Sequence, residues 1–392
     1  MADHHELSNI LIKQYQTYPC LKLQDLIKLI YQNEFGGGHM IQNEPEAFAR
    51  LKKEWEQNQE WGQNRKSGAP KPMTAGAADT SQDAGIATGG YYESIGSGLC
   101  RLYINGRIPA QLLGCIHRMF CLTANTVKGS LSSFEEKCQV LQNCCRRGDL
   151  PFPEDEYHSY MNTYREMGYP VLSHSAAYHA AYRPAYRIVY EAYGYYLPVI
   201  GRIAELLSEQ EYVTVVIDGR CASGKSTLAE LLNSVFDAAV IHMDDFFLQA
   251  SQRTKKRLEE PGGNIDYERF CAETAEGLLC HREFTYQKFQ CATMTLEDYI
   301  KVPLKPLRIV EGAYSLHPGC CLKPDLKIFL DVSKDAQSRC ILQRNGPHMH
   351  RRFLQEWIPM ENRYFEYYGI KENCHMVLDN TEMISAPQDH PA

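Results

Sequence analysis

The run Gly219-Arg220-Cys221-Ala222-Ser223-Gly224-Lys225-Ser226-Thr227 constrains this chain more than any other stretch. The branched, apolar segment Tyr212–Asp218 leads into it and Leu228-Ala229-Glu230-Leu231-Leu232 follows, so a glycine loop joins a strand to a helix. Glycines at 219 and 224 let the backbone curl until successive N–H groups point inward, and a helix beginning near Lys225 adds the positive end of its dipole. Such a loop cradles phosphate. Lys225 would reach the outer phosphates of a nucleotide and the Ser226 hydroxyl would ligate magnesium, which makes ATP and Mg²⁺ the expected cofactors of Gly219 through Thr227.

The segments around the loop set the fold class. Short runs rich in branched residues recur at Tyr212–Asp218, Ala238–Met243, Leu307–Glu311, Leu326–Val332 and Met376–Asp379, separated by helical or polar stretches. That alternation predicts an α/β domain with a parallel, doubly wound sheet over residues 210–385. Upstream the texture is mainly helical. Leu21, Leu23, Leu26, Ile27, Leu29 and Ile30 give one apolar face, and Leu112, Leu113, Ile116, Met119 and Phe120 give another, so residues 1–209 read as a mainly α-helical domain. Within it residues 57–90 are poor in large apolar side chains and read as a flexible insertion, while 386–392 read as a loose tail.

A phosphate loop alone does not separate kinases from other nucleotide-binding proteins; the acceptor side decides. The second strand ends in Asp244-Asp245-Phe246-Phe247 and the third in Glu311-Gly312. In an open parallel sheet the carboxyl ends of the strands line one crevice, so these acids should gather beside the phosphate loop, where carboxylates hold Mg²⁺ or take a proton from an attacking hydroxyl.

The set of phosphate loop, Asp244-Asp245-Phe246-Phe247, Asn264-Ile265-Asp266 and Glu311-Gly312, in this order, resembles the uridine kinase and phosphoribulokinase family of P-loop kinases over roughly Tyr212 to Asn380. The resemblance implies that Asp244 is the catalytic base, that Ser226 and Glu311 serve the magnesium, that Asp266 binds acceptor hydroxyls and that Tyr286 stands near the base. Asp245 takes the place of a small hydroxyl residue, which adds a second acid as a candidate metal ligand, and Phe289 and Gln290 stand where the family has a histidine. The family also closes an arginine-bearing lid. Arg339 and Arg344, on a helix candidate ending at Asn345-Gly346, are expected to grip phosphate oxygens, with Arg351 and Arg352 as rivals.

The expected activity is therefore ATP-dependent phosphorylation of a nucleoside-like small molecule, with a pantothenate-like or sugar-phosphate acceptor as the alternative within the class. A nucleotide-gated regulator is the alternative outside it. Among the 392 residues no basic stripe with interleaved aromatics speaks for nucleic acid, and no apolar run is long enough for a membrane span. No secretory leader is visible at Met1-Ala2-Asp3-His4-His5, so the expected compartment is cytoplasmic. The 15 cysteines lack any Cys-x-x-Cys spacing and read as buried or free thiols of a reducing compartment. In the first half, Gly36-Gly37-Gly38 reads as a helix terminator, and the tyrosines from Tyr178 to Tyr190 read as one helix face interrupted at Pro184. His39, His174 and His179 are the candidates should that half carry chemistry of its own.

Overall fold

A computed structural model describes residues 2–63 and 90–385. The chain divides between Gly201 and Arg202 into an N-terminal and a C-terminal unit. The division falls inside the helix Leu197–Glu209. Residues 57–63 of the expected insertion continue the helix Glu44–Gln63; the rest of it, and the expected tail, lie outside the described residues.

The N-terminal unit is mainly helical, with Leu11, Leu26, Ile30, Phe134 and Leu141 fully buried at its core. The helix Leu23–Phe35 ends at Gly36, whose φ of 62° is the left-handed conformation that glycine adopts without a Cβ clash. The unit also holds a three-stranded antiparallel sheet in the order β1 (Tyr92–Gly96), β2 (Leu99–Tyr103), β3 (Tyr186–Tyr190). This sheet was not expected. The tyrosine-rich segment is a helix only over Ala176–Tyr182; it ends at Arg183 with φ 44°, and after Pro184 the chain runs as β3 along β2. Proline cannot supply the helical N–H, and Tyr-Arg-Ile-Val-Tyr is a branched and aromatic run suited to a strand.

The C-terminal unit is built on five parallel strands. They are β4 (Val213–Gly219), β5 (Ala239–His242), β8 (Leu307–Glu311), β9 (Leu326–Asp331) and β10 (Met376–Asp379), with β6 (Phe284–Gln290) and β7 (Thr295–Val302) forming a separate antiparallel ribbon. The sheet order is β10-β9-β4-β8-β5. All of β4 is buried, as a central strand covered on both faces must be. From β4 the chain goes first to the β8–β5 side and later to the β9–β10 side, so the order reverses at β4. That reversal opens a crevice at the carboxyl ends of the strands. Glu311 is in register with both Ile217 and His242, which brings the ends of β4, β5 and β8 level at that crevice. The result is the α/β P-loop fold anticipated from the strand pattern; the β6–β7 ribbon was not anticipated.

Candidate active site

The phosphate loop follows β4 directly and enters the helix Lys225–Phe236. Its entry is sterically closed to any side chain. Gly219 has φ 143°, and a Cβ there would stand 2.2 Å from the Leu330 carbonyl oxygen of β9. Gly224 caps the helix in the left-handed conformation and brings no side chain to bond the first-turn N–H groups. Those amides have no partner within the helix either, so they are open to an anion. Other segments fasten the loop from behind: Gln337 donates to the Cys221 carbonyl at 3.0 Å and Asn380 to the Ser223 carbonyl at 2.8 Å.

The loop forms one wall of a cavity of about 1030 Å³. Residues Cys221 through Thr227, Asp244, Asn264, Glu311 and Arg344 line it, together with Phe289 from β6. Lys225 Nζ donates to the Gly219 and Arg220 carbonyls at 3.0 and 2.8 Å, which holds the ammonium at the mouth of the loop. Glu311 Oε1 accepts from Ser226 Oγ at 3.0 Å and lies 2.6 Å from His242 Nδ1. The hydrogen bond to Glu311 raises the His242 pKa above the ordinary imidazole value. A hydroxyl and a carboxylate thus meet at the helix start, a hard oxygen pair of the type that magnesium takes.

The neighbouring acids of the second strand part company. Asp244 opens onto the cavity. Crowding by protein pushes its carboxyl above the usual range; Lys225 pulls it down, and Glu311 and Asp245 add to the rise. Asp245 is 5% exposed and belongs elsewhere: its Oδ2 accepts the Tyr286 hydroxyl at 2.8 Å, with Lys288 4.0 Å from Oδ1. It does not line the cavity, so the expected metal ligand is a buried partner of Tyr286 instead. Tyr286, 1% exposed, is held in the interior by this bond and does not face the cavity itself.

Asp266 also differs from expectation. Its carboxylate caps the helix Tyr267–Phe270 by accepting the Arg269 N–H at 3.1 Å, and it accepts Gln252 Nε2 at 2.8 Å. Both bonds point it into the protein. The member of that loop that reaches the cavity is Asn264, which hydrogen-bonds the Tyr314 side chain and whose buried Oδ1 has no partner. Ser223 Oγ on the phosphate loop is likewise buried and unpartnered. Orphaned polar atoms cost free energy unless a ligand or water meets them, so two of them on one cavity fit a polar occupant.

The expected lid arginines divide as well. The helix Lys334–Arg352 is broken at Gly346, with φ 74° and ψ 171°, at the Asn345-Gly346 turn signal. Arg344 and Arg352 line the cavity, whereas Arg339 is exposed and does not. From position 339 the next side chain on the same helix face is about four residues on. Several lining residues carried no motif. Arg253, Arg363 and the buried Glu361 come from segments brought in by tertiary packing, and Glu361 Oε2 accepts the Cys221 N–H of the phosphate loop at 2.9 Å. Burial raises the Glu361 pKa, against the opposing pull of Lys225.

Fold and cavity define an α/β unit with a P-loop lining a polar cavity. Among solved structures, the chain is similar to one described as a possible uridine kinase from Bacillus stearothermophilus, with 18% identity over 46% of this chain and 100% of that one, at a TM-score of 0.35. It is also similar to a presumed fructose transport system kinase from Silicibacter sp. TM1040, with 19% identity over 45% of this chain and 97% of that one, at a TM-score of 0.36. No protein-family model matches the sequence, and no curated protein matches it significantly.

Proposed function

We propose that the C-terminal unit is a small-molecule kinase that moves the terminal phosphoryl group of ATP to a hydroxyl of a nucleoside or a molecule of similar shape. The observation that carries this reading is Asp244, a carboxyl of raised pKa opening onto the same cavity as Lys225 and Ser226. A nucleotide switch has no need of a proton acceptor at that position.

The loop glycines, the open helix start and the Ser226–Glu311 pair suit Mg·ATP. When bound, it supplies the electrophilic phosphorus and the leaving ADP, with the metal offsetting phosphate charge. Ser226 and Glu311 would hold that metal. Asp244 accepts the proton of the acceptor hydroxyl, for which a carboxyl titrating nearer neutrality is better matched than an ordinary one. Lys225, Arg344 and Arg352 offset negative charge on the transferring group. Asn264 Oδ1 accepts a hydrogen bond from the acceptor, and Tyr286 keeps Asp245 turned away from it. The setting is cytoplasmic, consistent with all 15 cysteines being free thiols.

A second acceptor class has its own support. Arg253 and Arg363 add positive charge to the cavity, which suits an acceptor bearing a carboxylate or phosphate, such as a pantothenate-like molecule or a sugar phosphate. ADP release from Mg·ATP, measured across nucleosides, vitamins and sugar phosphates, tests both. Release that no acceptor stimulates would favour the regulator reading over a kinase.

A further inference from the structure

We propose that Glu44, His117 and Cys121 of the N-terminal unit form a binding site for a divalent transition-metal ion of the zinc type. A carboxylate oxygen, an imidazole nitrogen and a thiol sulfur from the three residues all lie within 4.8 Å of one another. His117 and Cys121 are four residues apart on the helix Leu113–Thr126, a spacing that turns both side chains to one face. Glu44 comes to them from the first turn of the helix Glu44–Gln63.

The distance between the two helix-borne ligands is the informative quantity. Cys121 Sγ stands 3.6 Å from His117 Nε2. With a zinc–sulfur bond of about 2.3 Å and a zinc–nitrogen bond of about 2.0 Å, tetrahedral angles hold sulfur and nitrogen about 3.5 Å apart. The pair is therefore spaced for the ion, and a rotation of the imidazole, whose Nδ1 stands 4.0 Å from the same sulfur, would turn the Nε2 lone pair towards it. Phe48, on the same helix as Glu44, packs its ring 5.1 Å from the His117 ring and limits the imidazole's freedom. The thiol proton leaves to solvent as the sulfur–metal bond forms.

The donor set decides the kind of metal. A thiolate and an imidazole suit zinc or cobalt, and are poor ligands for magnesium or calcium. Thiolate and carboxylate together neutralise a divalent ion, against the positive charges of Arg187 near His117 and Arg118 near Cys121. Three protein ligands leave one tetrahedral position for water or another small ligand.

The full chain, stripped with a chelator and titrated with Co²⁺, tests the site. A single equivalent should bind with a sulfur-to-cobalt charge-transfer band in the near ultraviolet. Cys121→Ser should abolish that band, and Cys20→Ser, at an exposed thiol elsewhere, should leave it. Glu44→Gln changes an exposed residue outside the core, so it guards against a folding artefact at Cys121; it should weaken Co²⁺ binding by roughly tenfold or more. A band that survives Cys121→Ser, unchanged affinity in Glu44→Gln, or the absence of any stoichiometric binding overturns the proposal.

Discussion

Tyr286 gives its hydroxyl hydrogen bond to Asp245 across 2.8 Å in the protein interior, while the adjacent Asp244 opens onto the cavity. Two neighbouring carboxylates therefore carry separable duties. Asp244→Asn keeps size and hydrogen bonding but removes the proton acceptor, so turnover should fall by roughly 10² to 10⁴ with the unfolding midpoint little changed. Asp245→Ala strands a buried hydroxyl and should cost about 1 to 3 kcal/mol of stability. Tyr286→Phe in the Asp245→Ala background should add little further loss, because the two side chains share one interaction. Denaturant unfolding and acceptor-dependent ADP release together check the division; a rate defect confined to Asp245→Ala would reverse the assignment.

Asn264 offers a cleaner separation of binding from folding. Its buried Oδ1 lacks a partner, so Asn264→Ala removes an atom that already costs free energy, which offsets in part the loss of its hydrogen bond to the buried Tyr314 side chain. Stability should stay within about 1 kcal/mol of the parent while the acceptor KM rises by roughly tenfold. Steady-state kinetics with the acceptor varied at saturating ATP measures it. An unchanged KM would mean that the oxygen meets only water.

Lys225→Ala should lose at least about 10² in transfer rate, since the charge beside the transferring group goes. The variant also loses the bonds to the Gly219 and Arg220 carbonyls, each worth about 1 kcal/mol, and its melting temperature should drop by only a few degrees. Calorimetry alongside turnover would reveal a general folding failure if that were the source of the loss.

Among the arginines, the ones lining the cavity should matter and the one outside it should not. Arg344→Ala and Arg352→Ala are each expected to slow transfer by about tenfold or more, and Arg339→Ala, exposed and away from the cavity, to act like the parent protein. Equal losses in all three would mean that the lid residues closing on ligand differ from those lining the cavity here.

The N-terminal unit should weaken in mild acid. His174 is buried between Asp25, 2.8 Å from Nδ1, and Tyr186 on Nε2, and burial lowers its pKa to about 4 despite the Asp25 bond, with Arg101 and Lys28 adding to the fall. A histidine whose folded pKa lies below its unfolded value of about 6.5 binds its proton more readily when unfolded. Its contribution is complete above pH 6.5 and is lost as pH falls towards 4, by on the order of a few kcal/mol. Asp25, held low by its His174 and Ser175 hydrogen bonds against the opposing effect of burial, extends the loss below the usual carboxylate range. Amide exchange of β2 and β3 followed against pH should show the decline, and His174→Gln should flatten its upper part.

What could be read beforehand followed how local the determining interactions are. The five parallel strands are continuous branched runs, and their pattern alone placed β8 and β10 at their observed bounds. The β6–β7 ribbon, Phe-Thr-Tyr-Gln-Lys-Phe-Gln followed by a polar partner, has one exposed face and little apolar density to announce it. In the N-terminal sheet the buried Arg101 breaks the apolar alternation of β2, although the Gly96-Ser97-Gly98 turn, with φ of 83°, 54° and 66°, was a legible hairpin signal. At the site, the phosphate loop, Asp244 and Glu311 sit on strand ends and could be ordered from topology. Asp245 could not be told from a cavity residue, because its orientation depends on Tyr286, 41 residues on, whereas Asp266 caps the helix that starts beside it, a local signal masked by the acceptor-loop resemblance. Arg253, Glu361 and Arg363 gave no local sign at all.

Asp218, fully buried at the end of β4, accepts the N–H groups of Gly219, Tyr314 and Leu316 and the hydroxyl of Tyr364, which lies 146 residues further along the chain. During synthesis the phosphate loop therefore leaves the ribosome long before Tyr364, and after it Asn380, exist to fasten it. Until the segment bearing Tyr364 has emerged, the Asp218 carboxylate has water in place of that hydroxyl and cannot be sealed into the interior. A chain truncated just before residue 364 would hold every residue of the phosphate-loop motif and still lack the hydroxyl that completes its seat.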